Sequence, residues 1–316
     1  LNDNHTSVDQ TEPAVVAKSG GIETRQITID GQLLQVAVRH GSGQGPPLLL
    51  FNGIGANWEL ARPFLEALTR TTTVIFDVPG VGGSPRPVLP YRPSTLARLA
   101  AELVKELGYA EVDTAGVSWG GGIAQQFAHQ YPKLCRRLVL AATAPGFTMV
   151  PASPSVLWKM ATPRRYTDKT YMNRIAADIY GGAFREDPLL IGRHAAAMHG
   201  ARSLGYVYQL LAMAGWTSLP WLWSLPQPTL VLMGSDDPLV PPINGHILAG
   251  LIPNAELRMI DDGHLFLVTQ PAETATLIEA FLADESREVE PLSLLSRTVS
   301  YVRNLVPTSA GGRRQS

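Results

Sequence analysis

The sequence predicts a mostly parallel, doubly wound α/β sheet with a helical cap inserted late in it, and three observations carry that expectation. Short unbroken apolar runs at 48–51, 74–76, 112–117, 138–142 and 229–233 alternate with helix-like segments, the pattern of strands buried on both faces of a parallel sheet. One such run ends in Gly116-Val117-Ser118-Trp119-Gly120 and passes at once into a helical stretch. The alternation then stops after Pro145 and resumes near Gln227, an interval too long for a plain loop.

Residues 1–21 are polar and rich in turn formers and read as a mobile tail. Asp30-Gly31 separates two β-prone runs, the signal of a hairpin with a type I′ turn. Ser94 is placed to cap a helix whose apolar positions Leu96, Leu99, Ala100, Leu103, Val104 and Leu107 keep helical spacing, and Gly108 ends it. The core is expected over 22–145 and 227–284, with the cap over 146–226. The cap segment holds Trp158, Trp216, Trp221 and Trp223 with Met149, Met160, Met172, Met198 and Met213. These side chains serve either as the cap's own core or as an adaptable apolar underside for an aliphatic substrate. A last strand near 257–260 and a closing helix over 272–282 precede a tail, 285–316, in which Leu295, Val299, Val302 and Leu305 share one helical face. That face is a candidate anchor.

A net charge of −1 over 316 residues leaves no electrostatic footprint for nucleic acid or an anionic membrane. The single cysteine, Cys135, excludes an intramolecular disulfide framework and a cysteine-cluster metal site; it reads as a small buried residue just before a strand. The opening residues show neither a basic n-region nor a sustained apolar h-region, so the expected location is the cytoplasm. No apolar run approaches the roughly 20 residues of a membrane span.

The chemistry follows from Ser118. A sharp strand-to-helix turn forces the serine into a strained backbone and leaves no room for side chains at the flanking glycine positions. Its proton needs an acceptor, and of seven histidines only His264 lies just past a late core strand; His129, His194 and His199 read as structural or surface residues. On such a sheet the chain order is serine, acid, histidine, with the acid after the strand that follows the insert. Asp237, followed directly by Pro238, suits that role, and Asp236 is its rival. The backbone N–H of Trp119 is one expected oxyanion donor. The loop Asn52-Gly53-Ile54-Gly55 places the other at Ile54.

Several segments are family-specific: Phe51-Asn52-Gly53-Ile54-Gly55-Ala56-Asn57, Phe76-Asp77-Val78-Pro79-Gly80-Val81-Gly82-Gly83-Ser84, 116–121, Ala128-His129-Gln130-Tyr131-Pro132, Gly215-Trp216-Thr217-Ser218 and 261–267. On these the chain resembles the intracellular medium-chain-length poly(3-hydroxyalkanoate) depolymerases, relatives of lipases with the α/β-hydrolase fold. The resemblance covers roughly 33–282 and implies the triad Ser118, Asp237 and His264. It implies a serine esterase that cleaves the polyester of hydrophobic storage granules to 3-hydroxy acids, with no metal or cofactor. The terminal extensions depart from the family pattern and leave granule attachment open. The competing readings are a soluble small-molecule esterase or lactonase and a non-catalytic granule-coating protein. Side-chain length preference and oligomeric state are not fixed by sequence.

Overall fold

Side chains alternate across a strand, and here both faces of the central strands are apolar, which places the sheet between two layers of helices. Leu48 and Leu50 enter one buried cluster, while Leu49 and Phe51 enter the other. The computed structural model describes residues 17–19, 21–162, 164, 168–197 and 203–286. The polar segment 1–16, Met198 and the apolar face from 295 to 305 lie outside the described residues.

The strands are β1 (Ala17–Ser19), β2 (Ile22–Ile29), β3 (Gln32–Arg39), β4 (Leu48–Phe51), β5 (Thr73–Phe76), β6 (Val112–Val117), β7 (Cys135–Ala141), β8 (Thr229–Gly234) and β9 (Ala255–Ile260). They form one sheet in the order β1-β2-β3-β5-β4-β6-β7-β8-β9. Pairing is antiparallel from β1 through β3 to β5 and parallel from β5 onward. Asp30 and Gly31 both take positive φ, 50° and 76°, as a type I′ hairpin turn requires.

Helices α1 (Arg62–Ala67), α2 (Pro93–Glu106) and α3 (Trp119–Gln130) belong to the first half of the sheet. Between β7 and β8 come α4 (Pro154–Ala161), α5 (Lys169–Tyr180), α6 (Ala183–Glu186), α7 (Pro188–Ala197) and α8 (Ser203–Met213). The chain then returns through α9 (Ile243–Leu251), α10 (Phe266–Thr269) and α11 (Pro271–Ala283).

Three local expectations need correction. Residues 17–19, expected within the mobile tail 1–21, form β1 and pair antiparallel with the start of β2. Ser94 does not cap α2: the helix starts at Pro93, with Arg92 at the cap position. Proline's fixed φ is pre-organised for the first helical turn, which moves the start one residue ahead of the serine. Cys135 does not precede its strand but opens it, because Arg136 and Arg137 already run extended. Arg136 forks onto Asp113 at 3.0 and 2.6 Å, and Arg137 donates to the α11 carbonyl of Phe281 at 2.7 Å. Burial pushes the Cys135 thiol up to about 12, so it is not a reactive group.

The helical insert has its own buried cluster, in which Val156, Met172, Ile175, Ala176, Ile179 and Phe184 meet. Polar bonds tie it to the sheet domain: Trp216 Nε1 donates to Gln126 Oε1 at 2.9 Å, and Gly182 N to Asp236 Oδ2 at 2.8 Å.

Candidate active site

Ser118 sits between β6 and α3 with φ 55° and ψ −121°, a conformation strained for any residue with a side chain. Space explains its glycine neighbours. A Cβ on Gly116 would lie 2.4 Å from Gly120 O, and one on Gly120 would lie 2.2 Å from Phe51 O. The turn is anchored by Ser118 N donating to Ala141 O at 2.9 Å and by Thr143 Oγ1 donating to Ser118 O at 2.7 Å.

The turn after β9 delivers His264. Gly263 N donates to Asp262 Oδ1 at 2.6 Å, and His264 N donates to Tyr180 O at 2.6 Å. The imidazole lies parallel to the Tyr180 ring, with centroids 6.4 Å apart. His264 Nε2 is 3.0 Å from Ser118 Oγ, and Nδ1 is 2.7 Å from Asp237 Oδ2. Both the imidazole and the carboxylate are buried. A carboxylate can only accept, so Nδ1 carries the proton and Nε2 is left to accept from the serine hydroxyl.

The two candidate acids separate cleanly. Asp237 Oδ1 accepts from Leu239 N and Val240 N, each at 2.9 Å, which aims Oδ2 at the histidine. Asp236 points elsewhere: its Oδ2 accepts from Gly182 N and pairs with Arg185 at 3.0 Å near the surface.

The loop after β4 lies against the serine, with Gly53 so close that an added Cβ would be 3.8 Å from Ser118 Cβ. Asn52 clamps this loop, accepting from Gly53 N at 2.9 Å and donating to Asn57 O at 2.8 Å. Asp77 supports it from behind, with Oδ1 accepting from Trp58 N at 2.7 Å and Oδ2 from Gly83 N at 2.9 Å. Burial raises the Asp77 carboxyl to about 6 against the pull of those two N–H groups.

Two apolar lobes meet at Ser118, with empty volumes of about 780 and 840 Å³ counted to their open mouths. The first is lined by Ile54, Leu60, Phe64, His264 and Val268, and the second by Trp119, Phe147, Met149, Met213 and Trp216. Met160 from the insert and Leu239 from the Asp237 loop line both. The aromatics and methionines of the insert thus divide. Met149, Met160, Met213 and Trp216 line a lobe, Met172 packs inside the insert, and Trp158 is 81% exposed.

Sequence reasoning missed Tyr180, Asp77, Thr143 and Gln209. Asp77 lies in a quoted segment but had no role there. Gln209 had a faint signal as the one polar side chain between Tyr208 and Ala212 in an apolar helix. Tyr180 and Thr143 had none, since their contacts join distant parts of the chain.

The profile of the alpha/beta hydrolase fold family matches residues 46–271. The poly(3-hydroxyalkanoate) depolymerase of Ectopseudomonas oleovorans is 54% identical over 262 residues, covering 83% of this chain and 93% of that one. The enol-lactonase from Burkholderia xenovorans LB400 superposes with a TM-score of 0.71 at 19% identity, over 82% of this chain and 100% of that one. A thermophilic esterase from Thermogutta terrifontis superposes with a TM-score of 0.69 at 25% identity, over 82% and 97% of the two chains. Sheet order, inserted helices and relatives together make this protein a hydrolase, an enzyme built on an α/β sheet. It belongs to the α/β-hydrolase family, and a poly(3-hydroxyalkanoate) depolymerase is a close homologue.

Proposed function

We propose that the protein is a serine esterase that hydrolyses medium-chain-length poly(3-hydroxyalkanoate) to 3-hydroxy acids. The observation that carries the reading is the unbroken chain Ser118–His264–Asp237, at 3.0 and 2.7 Å, opening between two apolar lobes. An aliphatic polyester presents apolar groups on both sides of each ester, which two lobes flanking one serine accommodate. The homologous depolymerase supports the same substrate class.

In this mechanism His264 Nε2 takes the Ser118 proton as Oγ attacks the ester carbonyl carbon. The tetrahedral oxyanion is held by the backbone N–H groups of Ile54 and Trp119. Collapse breaks the carbon–alkoxide bond, and His264 gives its proton to the leaving oxygen. Water, deprotonated by His264, then releases the 3-hydroxy acid and restores Ser118. Asp237 holds the imidazole in the required tautomer and stabilises its cation. The core at 22–145 and 227–284 supplies this machinery, and the 146–226 insert acts as a cap that excludes bulk water. No cofactor takes part.

The enzyme works in the cytoplasm at the surface of storage granules. No helix among the described residues is long and apolar enough to cross a membrane. Replacing Ser118 with alanine and assaying acid release from amorphous medium-chain polyester granules tests the reading. Release is expected to vanish in a folded variant, and wild-type release would overturn the mechanism. Turnover of soluble esters with none from granules would reassign the substrate to small esters or lactones.

A further inference from the structure

We propose that Gln209, a residue of the insert that lines neither lobe, positions the Ile54 half of the oxyanion-binding backbone through its side chain. The proposal rests on the reading of Ser118 as nucleophile with Ile54 and Trp119 as donors. Gln209 Oε1 accepts from Gly55 N at 2.8 Å, on the residue directly after Ile54. Gln209 O accepts from the indole Nε1 of Trp119 at 2.9 Å. A single residue of α8 therefore bonds to each of the two segments that supply a donor.

The geometry around Ile54 shows what the first bond fixes. The peptide that carries Ile54 N–H also carries Gly53 C=O, and that carbonyl accepts from Ala56 N at 3.1 Å in a tight turn. On one side of this peptide, Gly53 N is held by the Asn52 side chain at 2.9 Å. On the other side, Gly55 N is held by Gln209. Gly55 has φ 71°, a left-handed conformation that glycine takes without steric cost. With both flanking N–H groups bonded, the donor peptide between them has little freedom to rotate.

Close backbone packing brings Gln209 within reach. A Cβ on Gly205 would lie 2.0 Å from Gly80 O, so α8 rests directly on the turn after β5. One helical turn further on, Gln209 is fully buried and reaches Gly55. Its Nε2 is also buried and has no hydrogen-bond partner among the described residues. A glutamine amide buried with half of its capacity unused is held there by its Oε1, since burying an unpaired donor is unfavourable. Gln209 is thus a positioning residue, acting on the reacting atoms through Gly55, while its main-chain carbonyl seats the Trp119 indole. It also makes the oxyanion site dependent on the seating of α8.

The test uses the full chain. Gln209→Met keeps length and apolar bulk but removes the acceptor. On a soluble medium-chain ester its kcat is expected to fall about 10- to 100-fold with KM unchanged, as for loss of an interaction made in the transition state. Affinity for an alkylboronic acid, which forms a tetrahedral serine adduct, should fall in parallel, while affinity for the matching carboxylic acid should hold. A raised KM at constant kcat, or a Met variant with the kcat of wild type, would overturn the proposal. Fluorophosphonate labelling of Ser118 separates the two levels. Labelled wild type with an unimpaired Met variant removes Gln209 alone, whereas unlabelled wild type removes the serine reading and this proposal with it.

Discussion

The parallel sheet and the helical insert above it draw on similar residues but stand differently toward solvent. In β4, β5 and β8 every residue is buried. In the insert, Leu157, Trp158, Leu189, Leu204 and Leu211 are exposed, while polar Gln209 is fully buried. The sheet puts apolar residues inside because both its faces are covered, so burial follows from local pattern. The insert spends a polar side chain on its inner face because it must meet backbone groups of another region.

Mutations can sharpen or break this contrast. Asp237→Asn keeps the Oδ1 acceptor for Leu239 and Val240 but favours the wrong histidine tautomer, and kcat is expected to fall about 10⁴-fold. Steady-state kinetics with a thermal melt would check this, and a loss of stability in place of activity would make the pair structural. Phe127 of α3, packed on the sheet, and Ile179 in the insert are equally buried. Phe127→Ala should cost about 3–5 kcal/mol of global stability, read by denaturant unfolding. Ile179→Ala should instead open the insert, seen as faster amide exchange in α5 with β6 and β7 still protected. Equal loss of protection in both regions would show a single cooperative unit and break the contrast.

Asp77 gives the smaller effect. Its folded-state carboxyl is raised to about 6 from the ordinary 3.8. Between those values the native state holds a proton that the unfolded chain has released, so stability falls as pH rises from about 4 to about 6 and levels off above. Asp113, raised by burial to about 6 despite Arg136, adds to the same window. Asp77→Asn leaves either Trp58 N or Gly83 N without an acceptor, costing about 1–3 kcal/mol. It should also flatten the Asp77 share of the pH dependence, measured by denaturation at several pH values.

Much of this was legible in the sequence because the causes are local. Both-face burial writes unbroken apolar runs, and the crowding at Gly116 and Gly120 writes the glycines around Ser118. That serine, acid and histidine converge follows from strands whose carboxyl ends share one side of a parallel sheet. Other features were legible only in part: Ser94 looked like a cap until Pro93 took the first helical position, and Asp237 was favoured over Asp236 without the rival being excluded.

Tertiary structure decided between those two carboxylates, because only the bonds from Leu239, Val240 and Gly182 set where each one points. It also sorted the methionines and tryptophans of the insert into lobe, interior and surface, and it placed Tyr180 behind His264 and Gln209 behind Ile54. These are contacts between rigid elements far apart in the chain. Local propensity fixes each element's shape, but the distances between elements come only from packing them together.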